Sequence, residues 1–352
     1  MISRRKTRKV VVGGVAIGGD SQITVQSMIS KPASDIQGCV EQAKALERAG
    51  CEMLRTAIPD ISAVALIPKL KKAVNIPIVA DIHFDYKLAL EAAAAGADKI
   101  RINPGNIGDE SRIKAVADEC KRRGIPIRIG VNSGSLEREI LAKYGRPTAE
   151  ALRDSAMYHA SLLERFDFDS IVLSLKSSDV LTMVRAYELA SEICDYPLHL
   201  GVTEAGTERT GLLKSAAGIS ALLLRGIGDT IRISLTADPV REVEAGLELL
   251  RALGLRNDRA TIVSCPTCGR TKIDLFKIVG EVEKRLANIK KPIKVAVMGC
   301  VVNGPGEAHE ADVGIAGGKG RAVIFKKGEI VKTVSEEAAV DELMKEINSM
   351  LD

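Results

Sequence analysis

Ile76-Pro77-Ile78-Val79-Ala80-Asp81-Ile82-His83 is followed by a helical pattern over Lys87–Ala95, a stop at Gly96, and then Lys99-Ile100-Arg101-Ile102-Asn103. This is strand, helix, strand, with an apolar run entered through Pro and left through polar residues. The same unit recurs on both sides. Eight strands are expected: Thr24–Met28, Met53–Ala57, Ile76–Ile82, Lys99–Asn103, Ile125–Val131, Ser170–Leu175, Leu198–Thr203 and Thr230–Leu235. Helical patterns between them include Ile36–Ala49, Arg112–Arg123, Ala149–Phe166, Leu181–Ile193, Leu212–Arg225 and Val240–Leu253. Eight such units predict an α/β fold, an N-terminal (β/α)8 TIM barrel. A doubly wound open sheet would carry a Gly-rich phosphate loop after its first strand. Gln26-Ser27-Met28-Ile29-Ser30 holds no glycine there. Residues 7–25 read as a short hairpin ahead of the first strand.

Active sites of such barrels lie at the C-terminal ends of the strands. Here those ends carry polar residues at even spacing, which places them on one face of each strand. Asp81 goes with His83, Arg101 with Asn103, Arg128 with Asn132, Ser174 with Lys176, and Arg232 with Ser234. Arg55 ends the second strand and Thr203-Glu204 the seventh. Five cations (Arg55, Arg101, Arg128, Lys176, Arg232) and two carboxylates (Asp81, Glu204) converge on one mouth. That surplus suits a small polyanion, since Arg pairs bidentately with phosphate oxygens. Structural ion pairing of single arginines is the bland alternative.

A second domain follows. The expected division is 1–258 for the barrel and 259–352 for a smaller α+β domain. The latter should hold a helix Ile273–Ala287, a strand Ile293–Val297, a hairpin Arg321–Val334 and a last helix Glu336–Met350. It contains Ser264-Cys265-Pro266-Thr267-Cys268-Gly269, and later Gly299-Cys300-Val301-Val302-Asn303-Gly304-Pro305-Gly306-Glu307. Two thiols from one turn and a third from another loop leave one coordination position of a metal centre open. On spacing alone three readings stand: an iron–sulfur cluster, a structural zinc on Cys265, Cys268, Cys300 and His309, or a redox dithiol.

The chain of 352 residues is 46% hydrophobic and carries a formal net charge of +4. That charge is small for a nucleic-acid partner, and with no Trp and 3% aromatics, stacking platforms are scarce. No apolar run is long enough for a membrane span, so a cytoplasmic protein is expected. The basic stretch Arg4-Arg5-Lys6-Thr7-Arg8-Lys9 reads as a solvated strand or tail. Cys39, Cys51, Cys120 and Cys194 read as reduced packing residues.

Taken together, Val25-Gln26-Ser27-Met28, Val79-Ala80-Asp81-Ile82-His83-Phe84, Ile102-Asn103-Pro104-Gly105-Asn106, Gly130-Val131-Asn132-Ser133-Gly134-Ser135, Gly201-Val202-Thr203-Glu204-Ala205-Gly206, Cys265-Pro266-Thr267-Cys268-Gly269 and Val301–Glu307 resemble the motifs of the 4-hydroxy-3-methylbut-2-enyl diphosphate synthase family. The resemblance covers essentially the whole chain, in the compact two-domain form. It implies a [4Fe-4S] cluster on Cys265, Cys268, Cys300 and Glu307, with Glu204 and Glu307 as catalytic groups. It implies reduction of 2-C-methyl-D-erythritol 2,4-cyclodiphosphate, with flavodoxin or ferredoxin as donor. Arg55, Arg101, Arg128, Lys176 and Arg232 would clamp the diphosphate, helped by Asn132 and Ser264. It also implies a homodimer with an active site shared between chains. Chain reach agrees: the eighth helix ends on the face away from the mouth, and the 11 residues from Gly254 to Cys265 span at most about 36–40 Å.

Overall fold

The computed structural model describes residues 2–300 and 309–351. It forms two units, Met1–Leu255 and Arg256–Asp352. The sequence reading places the division after residue 258.

The first unit opens with a hairpin, β1 (Val10–Val12) and β2 (Val15–Ile17). Eight parallel strands follow: β3 (Thr24–Met28), β4 (Met53–Ala57), β5 (Ile78–Asp81), β6 (Lys99–Ile102), β7 (Ile127–Asn132), β8 (Ile171–Lys176), β9 (His199–Leu200) and β10 (Thr230–Ile231). They pair in the order β8-β7-β6-β5-β4-β3-β10-β9. A parallel bridge Leu173–Leu198 joins β8 to the entry of β9, so the ring is a (β/α)8 barrel as expected. The helices between strands begin and end on local signals. Asp35 accepts the Gly38 N–H at 2.9 Å to start Ile36–Ala49, and Gly50 at φ 97° ends it. Asp109 and Gly124 bracket Glu110–Arg123 in the same way.

Strand parity divides the side chains. Val25, Leu54, Ile78, Ile100, Ile127, Leu173, Leu200 and Ile231 face outward into one apolar core with the helices. The inward set includes Gln26, Arg55, Asp81, Lys99, Arg101, Arg128, Ser174, His199 and Thr230, all buried. Branched apolar residues usually fill a TIM barrel; above its lowest level, this one is filled with polar side chains. The hairpin plugs the N-terminal end, where Val10, Val12 and Ile17 pack on Met53 and Val172.

Two differences from the sequence reading concern this unit. Strands β9 and β10 are only two residues long, and a small cavity lined by Gly201, Val202, Arg232 and Ser234 lies just above them. The basic N-terminal stretch is not a solvated tail. Arg4 bonds Asp229 at 2.8 Å, Arg5 donates to the Tyr196 carbonyl at 2.6 Å, and Arg8 pairs with Asp195 at 2.7 Å. Asp229 also accepts the Leu198 N–H at 2.9 Å, so the arm ties the starts of the two shortest strands together.

In the second unit β11 (Thr261–Ser264), β12 (Lys294–Met298) and β13 (Val313–Gly318) run parallel. β14 (Arg321–Lys326) and β15 (Glu329–Ser335) add antiparallel. Helices Leu275–Leu286 and Ala339–Leu351 bury Ile278, Val282, Leu343 and Ile347 against this sheet. The expected α+β character holds. The sequence reading lacks β13, whose Val-Gly-Ile-Ala-Gly-Gly composition hides a strand.

Candidate active site

The strand ends of the barrel enclose a cavity of about 400 Å³, lined among others by Arg55, Asp81, His83, Arg101, Asn132, Lys176, Thr203 and Glu204. A second space of about 250 Å³ shares Thr203 and Glu204 with it and adds Arg232, Ser234 and Glu242. A larger cavity of about 730 Å³ lies between helices Arg138–Tyr144 and Ala149–Glu164. No strand-end residue reaches it, and its Lys143 and Arg153 are already paired with Asp154. The convergent chemistry is in the mouth.

Asp81 is the pivot of the mouth. It accepts from Arg101 at 3.0 Å and stands 3.5 Å from Arg55. Burial alone would raise its pKa, but Arg55 and Arg101 hold it well below the usual carboxylate range. Arg101 also donates to the Gly130 carbonyl at 3.2 Å. Glycine at 130 leaves room for this contact, because a Cβ would stand 2.4 Å from Arg101 Nε and push the guanidinium away. Arg55 rests on the Met28 sulfur at 2.8 Å. Arg128 is fully buried below the cavity and donates to Gln26 Oε1 at 2.9 Å, leaving Nε and Nη2 without partners. Burial, with Arg101 next to it, lowers the Arg128 pKa to about 9. Arg232 stands 3.6 Å from Glu242. Glu242 also accepts the Leu235 N–H at 2.9 Å, which fixes the loop after β10.

Glu204 is exposed at the rim, and its backbone sits at φ 51°. That left-handed conformation is uncommon for a glutamate. His83 is exposed on the same rim. Asn103 and Ser174 lie lower. Asn103 donates to Ser135 Oγ at 3.0 Å, and Ser174 Oγ has no partner. The sequence reading omits Gln26, Lys99, His199 and Glu242 from this constellation. Parity could have supplied Lys99, two residues before Arg101 on the same strand face.

In the second unit Cys265 is half-buried and accepts the Gly299 N–H at 3.1 Å. Cys268 is exposed, and hydrogen bonds from Arg270 lower its pKa toward the thiolate that a metal needs. The Lys272 N–H bonds the Gly299 carbonyl at 2.9 Å, so the Cys268 loop is laced to the loop that carries Cys300. The donor set thus brings two thiol loops side by side, with backbone amides aimed at sulfur, as an iron–sulfur site requires. Ser264 ends β11, exposed, one residue before Cys265. Glu307 lies outside the described residues. Among the described residues, no three His, Cys, Asp or Glu side chains are gathered tightly enough to hold a metal ion. His309 stacks on Gly328, level with the start of β13 at Val313. Gly317, at the far end of that strand, is the residue packed on Gly299. The separation is about 13 Å by strand rise, which removes His309 from a zinc set with the cysteines. The other cysteines behave as packing residues: burial raises the thiol pKa of Cys39, Cys51, Cys120 and Cys194.

Fold and sites together define a TIM barrel with a cation-rich mouth, followed by a thiol-bearing α+β domain. The GcpE TIM-barrel domain family matches residues 7–247, and the GcpE protein C-terminal domain family matches residues 261–349. Full-length relatives carry the name 4-hydroxy-3-methylbut-2-en-1-yl diphosphate synthase (flavodoxin). One from Caldanaerobacter subterraneus subsp. tengcongensis is 58% identical over 100% of this chain and 99% of its own. One from Clostridium acetobutylicum is 58% identical over 99% and 100%, and one from Geobacillus thermodenitrificans is 55% identical over 99% and 94%. The chain belongs to this synthase family. Dihydropteroate synthase from Thermus thermophilus superimposes with a TM-score of 0.52 at 14% identity, covering 70% of this chain and 98% of its own. That likeness shows the barrel fold alone.

Proposed function

We propose that the barrel mouth binds 2-C-methyl-D-erythritol 2,4-cyclodiphosphate and that the chain reduces it to (E)-4-hydroxy-3-methylbut-2-enyl diphosphate. The observation that supports this site is the convergence of Arg55, Arg101 and Lys176 on one cavity, with Arg232 in the adjoining space, Arg128 beneath and Asp81 neutralising only part of the charge. Such a mouth is an unfinished ion cluster that a diphosphate completes. The conversion opens the cyclic diphosphate, expels a hydroxyl as water and takes up two electrons and, by charge balance, a proton.

The residues divide the work. The guanidinium groups hold the diphosphate and stabilise the charge that grows on it when the ring opens. Asn132, Thr203 and Ser234 offer neutral hydrogen bonds around the carbon skeleton. Glu204, rim-exposed and held in a constrained backbone, contacts the substrate hydroxyls or supplies a proton. Cys265, Cys268, Cys300 and Glu307 would hold a [4Fe-4S] cluster, which when bound supplies electrons one at a time. A carboxylate ligand exchanges more readily than a thiolate and leaves that position accessible. The donor is flavodoxin, as in the relatives' names, or ferredoxin, and the setting is the cytoplasm. No helix among the described residues is long and apolar enough to cross a membrane. The working unit is a homodimer in which the cluster domain of one chain serves the mouth of the other. The helix Pro239–Ala252 supports this, since it runs back from the mouth before the cluster domain begins.

Anaerobic purification and iron, sulfide and visible-spectrum analysis test the cluster. Cys265→Ser, Cys268→Ser or Cys300→Ser should lose it. Glu307→Ala should keep the cluster spectrum and lose turnover with reduced flavodoxin. A colourless, iron-free wild type that binds zinc would overturn the reading, as would wild-type turnover in Glu307→Ala.

A further inference from the structure

Beneath the arginines the barrel holds a second polar layer that binding of a diphosphate does not by itself explain. Lys99 and His199 are its titratable members, and both are completely buried. The partner of Lys99 Nζ is the Met53 sulfur, at 3.5 Å, a weak acceptor. His199 Nδ1 faces Thr230 Oγ1 at 3.4 Å, while Nε2 has no partner. The same ring lines a cavity of about 10 Å³ with Lys176, Thr203, Arg232 and Ser234. That space is close to the size of one water and opens the layer toward residues of the mouth.

The charged neighbours of this layer are cationic. His199 sees Arg128 from β7, Lys176 from β8, Lys99 from β6 and Arg55 from β4. Lys99 sees Arg128 and Arg55. On the helix side, Tyr187 donates to the His199 carbonyl and leaves the ring alone. The inward carboxylates are engaged elsewhere, Asp81 by Arg55 and Arg101, and Glu242 by Arg232. Burial first, and these like charges second, hold both groups below their ordinary pKa values. An anion of charge two in the mouth opposes that field directly.

We propose that Lys99 and His199 form a proton-accepting floor, neutral in the free enzyme, and that one proton enters this layer when the dianionic cyclodiphosphate settles on the arginines above. Lys99 Nζ or His199 Nε2 gains a proton from solvent, and no bond of the substrate changes. The floor then holds a proton beneath a substrate whose reduction consumes one. This rests on the mouth being the diphosphate site.

The test is calorimetric titration of oxidised, cluster-loaded enzyme with the cyclodiphosphate at pH 7.5, without electron donor, in buffers of different ionisation enthalpy. The slope against ionisation enthalpy counts protons. Wild type should take up about one. Whichever of Lys99→Met and His199→Asn removes the acceptor should lose most of the uptake, and the double variant all of it. Binding without uptake in wild type overturns the proposal, and needs no variant to fold. Full uptake in the double variant overturns it as well. Arg128→Met separates the two readings. If it binds as wild type does, the mouth assignment fails, whatever the proton count.

Discussion

Gly130→Ala tests whether the mouth is held as described. The added Cβ would lie 2.4 Å from Arg101 Nε and 2.7 Å from Nη2. The guanidinium cannot swing into solvent, because Arg101 is only 3% exposed. It must retreat from the Gly130 carbonyl at 3.2 Å and from Asp81 at 3.0 Å. A charge-assisted hydrogen bond contributes about 1.5–3 kcal/mol, and breaking a buried pair outright costs about 3–5 kcal/mol. Arg101 is displaced rather than removed, and Asp81 keeps Arg55 at 3.5 Å. The expected stability loss is therefore about 2–3 kcal/mol by urea denaturation. Loss of one charge-assisted contact should weaken the cyclodiphosphate about 10- to 150-fold by calorimetry. Gly280→Ala is the control: nothing lies within 4 Å of its added Cβ, in the helix Leu275–Leu286. It should gain about 0.5–1 kcal/mol. A Gly130→Ala protein with wild-type affinity and stability within about 0.5 kcal/mol, inside the range of an ordinary surface substitution, would refute the packing of Arg101 argued above.

Arg4→Ala should cost about 1.5–3 kcal/mol in urea denaturation, because it strips a charged partner from nearly buried Asp229. Its activity per folded molecule should be unchanged, since the arm lies at the N-terminal end of the barrel; a stability equal to wild type would return the arm to solvent. Lys99→Met should stabilise the free enzyme more at pH 7 than at pH 9.5. The folded pKa is lowered, so the unfolded chain binds more protons and wild-type stability rises with pH from the folded value up to about 10.4, the ordinary lysine value. A gain equal at both pH values would mean that Lys99 is charged when folded.

The barrel was legible because its βα units repeat and its apolar runs are continuous. The strand ends were legible for a related reason: even spacing puts Arg101 with Asn103 on one face whatever the rest of the fold does. Three things were not. The arm looked like a tail because Arg4, Arg5 and Arg8 find their partners Asp229, Tyr196 and Asp195 between 187 and 225 residues away, which no local pattern encodes. Strand β13 was hidden by its glycines. Gly314 accepts the approach of Phe325 and of the Ala296 carbonyl, and Gly317 that of Ile273 and the Gly299 carbonyl. These are tertiary demands that read locally as weak strand propensity. Glu242 lies in the first turn of the helix Pro239–Ala252, where an acidic residue reads as ordinary helix-start charge, and only the fold turns it toward Arg232.

A barrel filled with arginine and lysine raises the question of what holds it together. The answer is the division of labour by parity. Val25, Leu54, Ile100, Ile127, Leu173 and Leu200 are fully buried on the outer face of the ring, against the helices. Each contributes on the order of 1.5–3 kcal/mol by burial. The inner face contributes little of that kind; its cations are partly unpaired, and Arg128, Ser174 and His199 all keep polar atoms without partners. Such atoms are a standing cost to the free protein. A bound anion removes part of that cost, so ligand affinity draws on strain that the outer core already sustains. Substitutions on the two faces of one strand should therefore separate. Outward changes such as Leu173→Ala act mainly on folding, and inward changes such as Arg128→Met act mainly on the ligand.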